Sequence, residues 1–173
     1  MHTLILGGAR SGKSALAERL ARDSRLEVIY VATAQARDGE MSERIAHHRS
    51  RRPEAWSLVE EPFALADVLR AQARVDRCIL VDCLTLWLSN LLGDDDPIRF
   101  ERERDALLDT LSSLPGELLM VSNEVGLGIV PMGELTRRFV DEAGRLHQAL
   151  AARCGRVLFV AAGLPLALKG TVP

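Results

Sequence analysis

The stretch GGARSGKS, residues 7–14, constrains the fold of this chain more than any other part of the sequence. It follows the apolar run TLILG and precedes SALAERLAR, which has the spacing of an amphipathic helix. The stretch matches G-x-x-x-x-G-K-S, the P-loop pattern, in which a glycine-rich turn joins a buried strand to a helix. The alternative, a glycine-rich turn without a ligand, is disfavoured because this strand and helix context is the one that phosphate binding requires.

Each position of the motif has a chemical reason. Gly7 and Gly12 permit tight backbone turns with no side chain in the way. Successive N–H groups then point into one concavity that binds phosphate oxygens, and the following helix adds the positive end of its dipole. Almost every basic residue of the chain is an arginine, so a lysine at position 13 indicates a need for an ammonium. Lys13 would contact the β- and γ-phosphates, and Ser14 would ligate Mg²⁺.

Short apolar runs alternate with helix-length segments along the whole chain. The predicted strands are 3–7, 27–33, 77–83, 118–123 and 156–162, with 56–60 as a weaker sixth. The clearest predicted helices are 98–114 and 133–153. Continuous apolar runs, rather than alternating ones, are typical of parallel strands that are covered on both faces. The sequence therefore predicts an α/β fold with a mostly parallel sheet, in one domain spanning residues 1–173.

Charge and cysteine content exclude several classes of function. The net charge of −2 argues against a nucleic-acid or membrane-surface binder, so any basic site must be local. Cys78, Cys83 and Cys154 lack metal-ligand spacing and are expected to be free thiols in a reducing compartment. The sequence begins without the features of a signal peptide, and its longest apolar run is shorter than a membrane span of about 20 residues. We expect a cytoplasmic protein with no membrane span.

Two further motifs bear on nucleotide chemistry. In the run CILVDC, Asp82 follows four apolar or thiol residues, at a position where a P-loop protein places an acid that holds Mg²⁺ or its waters. Asp82 could also, or instead, cap the following helical segment LTLWLSNLL. The stretch SNEVG, residues 122–126, resembles a guanine-binding Asn motif but lacks its Lys and Asp. An ordinary GTPase switch is therefore not expected.

The stretch ERIAHHRSRRP, residues 43–53, contains two adjacent histidines followed by arginines. On a helix, Met41, Ile45 and His48 share one face, whereas His47 lies about 100° away. A neutral imidazole can act as a nucleophile at phosphorus, and the arginines could hold a polyphosphate. From this segment alone, a buried structural histidine beside a solvated basic face is the more common alternative.

Six stretches together resemble one family: GGARSGKS, YVATAQ, ERIAHHRSRRP, ILVDCLTLWLSNLL, SNEVGLGIVP and VAAGLPLALKG. They occur in this order across essentially the whole chain. This arrangement is similar to the bifunctional adenosylcobinamide kinase / adenosylcobinamide-phosphate guanylyltransferase family of cobalamin biosynthesis. The P-loop is shared by many families, whereas RIAHHRSRRP and NEVGLGIVP are much more specific.

The resemblance implies a RecA-like P-loop NTPase-type fold in three layers, a homotrimer, and two reactions. Adenosylcobinamide is phosphorylated with a nucleoside triphosphate, ATP or GTP. GMP is then transferred from GTP, through a covalent GMP–histidine, to the adenosylcobinamide phosphate. The histidine corresponds to His48, and Lys13 is the other catalytic residue. Mg²⁺ would be held by Ser14 and Asp82. The implied nucleotide-binding residues are Gly7, Gly8, Ala9, Arg10, Ser11, Gly12, Lys13, Ser14, Ala32, Thr33, Ala34, Arg49, Ser50, Arg51, Arg52, Glu60 and Asp82.

Two other functions fit parts of the same pattern. One is a P-loop kinase acting on a different small metabolite, with His48 purely structural. The other is a nucleotide-dependent regulatory module that binds and switches without chemistry. Neither alternative predicts a covalent GMP–protein adduct, so labelling with α-labelled GTP separates them from the bifunctional enzyme.

Overall fold

The computed structural model describes residues 1–35, 53 and 55–172. Strands and helices alternate along most of this part of the chain. The elements are β1 (His2–Gly7), α1 (Lys13–Asp23), β2 (Glu27–Ala32), β3 (Ser57–Glu60), α2 (Leu65–Gln72), β4 (Arg77–Asp82), α3 (Leu84–Leu92), α4 (Arg99–Thr110), β5 (Glu117–Asn123), α5 (Glu134–Arg153), β6 (Arg156–Ala161) and β7 (Leu164–Lys169).

These strands form one sheet in the order β3-β2-β4-β5-β1-β6-β7. Strands β1 to β6 pair in parallel, and β7 pairs antiparallel with β6. Because parallel strands end at the same edge, the loop after β1 and the residue that ends β4 lie at one edge, separated by β5 alone. The predicted α/β fold with a mostly parallel sheet is confirmed, and ligands of such sheets bind at this carboxyl edge.

Helices cover both faces of the sheet, which explains the continuous apolar runs. Leu4 and Leu6 of β1 pack in a cluster with apolar residues of α2 to α5, whereas Ile5 packs with those of α1. Successive residues of a strand point to opposite faces, so a strand between two helical layers must be apolar at every position. The described elements thus form three layers, and among them α1 is the helix on the face that carries the end of the P-loop.

The last strand, β7, was missing from the sequence prediction. Ala162 and Gly163, with φ of 51° and 79°, form the tight turn that reverses the chain after β6. Pro165 then lies inside β7, opposite Val160. A proline lacks the N–H of a central strand but is tolerated at a sheet edge, where β7 lies. A single apolar run in the sequence therefore hides two antiparallel strands.

Helix boundaries differ from the prediction in physically understandable ways. Helix α5 begins one residue later than predicted. Leu135 in its first turn is 63 % exposed, so the buried face of the helix starts farther along, and Ala143 is its first buried residue. Helix α4 ends at Thr110 rather than at 114, and the eight-residue α2 was too short to be recognised by its periodicity. The helix predicted to carry His47 and His48 lies outside the described residues.

Candidate active site

The loop that follows β1 requires glycine at its first position because of crowding. A Cβ atom on Gly7 would lie 2.5 Å from the carbonyl oxygen of Val160 and 2.6 Å from Oγ of Ser11. The first of these is a backbone atom of the neighbouring strand β6, so it has little freedom to move. A side chain at position 7 would therefore collide with its surroundings, which is a physical reason for glycine there.

Gly12 precedes helix α1 and adopts a left-handed conformation, with φ of 97°. A Cβ there would lie 3.0 Å from Cα of Gly163, and the Gly163 N–H donates a 2.8 Å bond to the Ser11 carbonyl. The turn between β6 and β7 thus braces the loop. Among the residues that the structure describes, no side chain caps the start of α1, and the first turn of this helix contains no acidic residue. The N–H groups at the start of α1 and the helix dipole favour an anion at the end of the loop.

Lys13 is folded back over the loop. It is only 7 % exposed, and its Nζ donates a 3.0 Å hydrogen bond to the Gly8 carbonyl oxygen. Burial lowers the pKa of Lys13, while the neighbouring Cys83 and Asp82 act in the opposite direction. An ammonium that is poorly solvated in the free protein would gain from a negatively charged phosphate ligand.

Three of the predicted site residues end neighbouring strands at the same level. Ala32 on β2 is paired with Glu60 on β3 and with Asp82 on β4. Asp82 lies two residues beyond Leu80, which packs against the α1 layer, so its side chain projects toward the face where α1 begins. Sequence positions far apart are therefore brought to one edge beside the P-loop.

The Asp82 carboxylate has a partner that the sequence did not reveal. The hydroxyl of Tyr30 lies 3.1 Å from Oδ2 of Asp82 and donates to it. Tyr30 is 3 % exposed and belongs to the apolar cluster beneath α1. The only local signal was a tyrosine inside an otherwise aliphatic strand, which indicates a buried phenol in need of an acceptor.

Thr33 holds the backbone that follows Asp82. Its hydroxyl donates to the Cys83 carbonyl at 2.7 Å and accepts the Cys83 N–H at 3.1 Å. Asn90 of α3 in turn donates to the Thr33 carbonyl at 2.8 Å. The Thr33 side chain is therefore engaged with β4, and its predicted contact with a nucleotide stays a prediction. The role of Asn90 was missed because its partner lies 57 residues away.

The residues at this edge suit Mg²⁺ bound together with a nucleotide. Ser14 supplies a hydroxyl in the first turn of α1, and Asp82 supplies a carboxylate at the end of β4. Mg²⁺ prefers such oxygen ligands and usually combines one or two carboxylates with phosphate oxygens and water. In the described ranges, no group of three or more His, Cys, Asp or Glu side chains is placed to hold a metal ion.

The stretch SNEVG takes part in a separate buried polar cluster. Oγ of Ser122 lies 2.8 Å from Nε2 of His147 on α5, and the Glu124 carboxylate lies 3.6 Å from Nδ1 of the same ring. The backbone N–H of Glu124 donates to the Gly7 carbonyl at 3.0 Å. Burial lowers the pKa of His147, and the nearby Glu124 carboxylate partly opposes this effect. This cluster ties α5 and β5 to the start of the P-loop.

The three cysteines are free thiols, as predicted. Burial raises the pKa of Cys78 and Cys154 to about 11. The pKa of Cys83 is also raised to about 11, first by burial and then by the charge of Asp82. Thiols with such values stay protonated at neutral pH and are poor nucleophiles. These cysteines are therefore not candidates for covalent catalysis, although Cys83 adjoins the site.

Several predicted residues lie outside the described part of the chain. They are the nucleophile candidate His48 and the nucleotide-binding candidates Arg49, Ser50, Arg51 and Arg52. Their roles stay predictions from the sequence. Within the part of the chain that the structure describes, no helix is both long enough and apolar enough to cross a membrane.

Comparison with known proteins gives consistent matches over nearly the full length of the chain. Residues 3–168 match the family described as "Cobinamide kinase / cobinamide phosphate guanyltransferase". The chain is 66 % identical over 170 residues to the bifunctional adenosylcobalamin biosynthesis protein CobP of Pseudomonas aeruginosa, covering 98 % of each chain. It is 40 % identical over 182 residues to the protein CobU of Escherichia coli K12, which has the same bifunctional description, covering 98 % of this chain and all of that one.

Solved structures with low sequence identity share the fold. The RadB recombinase superposes with a TM-score of 0.52 at 18 % identity, over 91 % of this chain and 73 % of that one. A protein from Pyrococcus horikoshii OT3 superposes with a TM-score of 0.58 at 8 % identity, over 99 % and 87 % of the two chains. The predicted P-loop NTPase-type fold is confirmed by this similarity.

Proposed function

Since the chain belongs to the cobinamide kinase / cobinamide phosphate guanyltransferase family, we propose that it carries out both reactions on adenosylcobinamide. It is a bifunctional enzyme of cobalamin biosynthesis that uses nucleotides. In the first proposed step, a hydroxyl of adenosylcobinamide attacks the γ-phosphorus of ATP or GTP, and a nucleoside diphosphate leaves. In the second, GMP from GTP is joined to the new phosphate, and pyrophosphate leaves.

The arrangement at the carboxyl edge carries this proposal. The uncapped start of α1, the buried ammonium of Lys13 and the carboxylate of Asp82 converge beside one phosphate loop. Phosphoryl transfer needs little covalent help from the protein, because positioning and neutralisation of the phosphate charge supply most of the catalysis. Mg²⁺, held by Ser14 and Asp82, would neutralise charge on the same phosphates. We also propose that Ala32, Thr33, Ala34 and Glu60 line the nucleotide.

The second step is proposed to use His48 as a nucleophile. A ring nitrogen attacks the α-phosphorus of GTP, forming a P–N bond while the P–O bond to pyrophosphate breaks. The phosphate of adenosylcobinamide phosphate then attacks the same phosphorus, and the P–N bond breaks to release the histidine and adenosylcobinamide-GDP. Two displacements let one nucleotide site serve a bulky acceptor. The helical-face argument from the sequence and the family resemblance both support His48 rather than His47.

A pair of histidine variants tests this assignment. His48→Ala is expected to lose the GMP–protein adduct and guanylyl transfer while phosphorylation of adenosylcobinamide survives. His47→Ala is the matched control and should keep both. The adduct is followed with α-labelled GTP, because a phosphoramidate is labile to acid and stable to alkali. Loss of the adduct in His47→Ala alone would show that the nucleophile was assigned to the wrong ring.

The family resemblance also supports a homotrimer in the cytoplasm, where nucleoside triphosphates are available. Light scattering at micromolar protein concentration measures the mass directly, and a monomer would contradict the trimer. Fractionation of the source cells would place the protein in or outside the cytoplasm.

A further inference from the structure

Tyr30 is the only tyrosine of the chain, and it lies in the apolar layer beneath α1. It is paired across the sheet with Leu80, two residues before Asp82, so both side chains project to the same face. Its ring is 3 % exposed, yet its hydroxyl extends along the sheet to Oδ2 of Asp82, 3.1 Å away. A phenylalanine would fill the same space without this bond.

The bond completes a set of contacts that fix the end of β4. Thr33 engages both the N–H and the carbonyl of Cys83, so the backbone after Asp82 is held in place. The two dihedral angles of the Asp82 side chain are then the remaining freedom. A hydrogen bond to one carboxylate oxygen restricts them and leaves the other oxygen without this donor. The carboxylate is thereby held in one orientation before any ligand arrives.

We propose that Tyr30 is a positioning residue that orients the Asp82 carboxylate for the Mg²⁺ that accompanies the nucleotide. The inference deepens the proposed function, because it rests on the nucleotide and metal site described there. Tyr30 does not touch the nucleotide in this scheme. It acts through Asp82, as residues behind a ligand orient that ligand in other metal sites.

The variant Tyr30→Phe removes the hydroxyl and keeps the buried ring. Loss of one hydrogen bond to a charged acceptor is expected to weaken metal binding by about tenfold. The probe is Mn²⁺, and its free concentration is followed by electron paramagnetic resonance with protein in excess over a non-hydrolysable ATP analogue. The affinity for the analogue without metal should stay within about twofold of wild type, because Tyr30 acts on the carboxylate and not on the phosphate loop.

Thr110→Val serves as the matched control. Thr110 is 5 % exposed and accepts a 2.6 Å hydrogen bond from Arg70, on helices that pack on the opposite face of the sheet. This variant also loses a buried hydroxyl, but it should bind Mn²⁺ like wild type. Equal loss of Mn²⁺ affinity in both variants would overturn the proposal, because the effect would then reflect general loosening. Unchanged affinity in Tyr30→Phe would overturn it as well.

The unmodified protein offers a second test that does not depend on the folding of a variant. Because Tyr30 is the only tyrosine, ¹³C labelling of the tyrosine ring carbon that carries the hydroxyl gives a single NMR signal. The position of this signal reports on the hydrogen bonding of the hydroxyl. Mg²⁺ added to the analogue complex should shift that signal, and should fail to shift it in Asp82→Asn. A signal that does not respond to Mg²⁺ in wild type would refute the coupling.

The outcomes also separate the inference from the proposed function. Neither test uses adenosylcobinamide, so a Tyr30 effect without phosphorylation of that substrate would refute the proposed function alone. Phosphorylation with no effect of Tyr30 on metal affinity would refute the inference alone.

Discussion

The variant Lys13→Met separates what the buried ammonium does for catalysis from what it does for stability. Burial lowers the pKa of Lys13, so the folded chain holds this proton less tightly than the unfolded chain does. Such a group destabilises the fold at every pH below its unfolded pKa of about 10.4. Methionine has a similar length and no charge. The Gly8 carbonyl, which loses the Nζ donor, still accepts the Ser11 N–H at 3.3 Å. The melting temperature without nucleotide should therefore rise, or fall by less than about 3 °C.

Catalysis should respond in the opposite way. Removing an ammonium that neutralises transferring phosphates costs about 4 kcal/mol, which corresponds to a rate loss on the order of 10³-fold. Both half-reactions should suffer in Lys13→Met and in Lys13→Ala, because one P-loop is expected to serve both. Lys13→Arg keeps the charge, but its planar group is too large for a nearly enclosed position, so we expect less than about a tenth of the wild-type rate.

Three measurements check this reasoning: thermal unfolding without nucleotide, and the kcat of each half-reaction. A melting temperature lowered by more than about 5 °C in Lys13→Met would show that the bond to Gly8 outweighs the burial of charge. Wild-type rates in the same variant would place the ammonium away from the phosphates. Normal guanylyl transfer with a lost kinase step would point to a second nucleotide site.

Two other predictions concern the loop and the buried histidine. Gly7→Ala should displace the loop, because the new Cβ would lie 2.5 Å from the Val160 carbonyl oxygen. Calorimetry is expected to show nucleotide binding weakened by at least about tenfold in this variant. Gly144→Ala is the control and should bind normally, because Gly144 is a helical position with open space around it. The pKa of His147 is lower in the folded chain than in the unfolded chain, so its contribution to stability is complete above about pH 6.5 and is lost as the pH falls. The melting temperature of wild type should therefore fall between about pH 7 and pH 5, and His147→Gln should show a shallower fall; equal slopes would exclude this histidine as the titrating group.

The predictable parts of this protein are those whose signals are local in the sequence. The P-loop is recognised from eight consecutive residues, and the close contacts around Gly7 and Gly12 explain why its glycines are needed. The parallel strands are recognised by their unbroken apolar runs, since both faces are covered. The turn at Gly163 was missed because apolar residues continue through it and no polar residue marks the reversal.

The unpredicted parts depend on pairings between distant residues. Tyr30 and Asp82 are 52 residues apart, and their bond follows from the register between β2 and β4. The same register places the Thr33 hydroxyl beside the backbone of Cys83, which the sequence did not reveal. Sequence periodicity gives the faces of each strand, but it does not give the alignment of one strand against another.

The turn between β6 and β7 has a practical consequence for anyone who trims or fuses this protein. Its Gly163 amide is bound to the Ser11 carbonyl, so the final hairpin is a mechanical support of the phosphate loop at the other end of the chain. A truncation that removes residues 163–169 would leave the six parallel strands intact and would still remove the hydrogen bond that braces the loop. Fusion partners and affinity tags at this end therefore belong beyond Lys169, where they leave the hairpin whole.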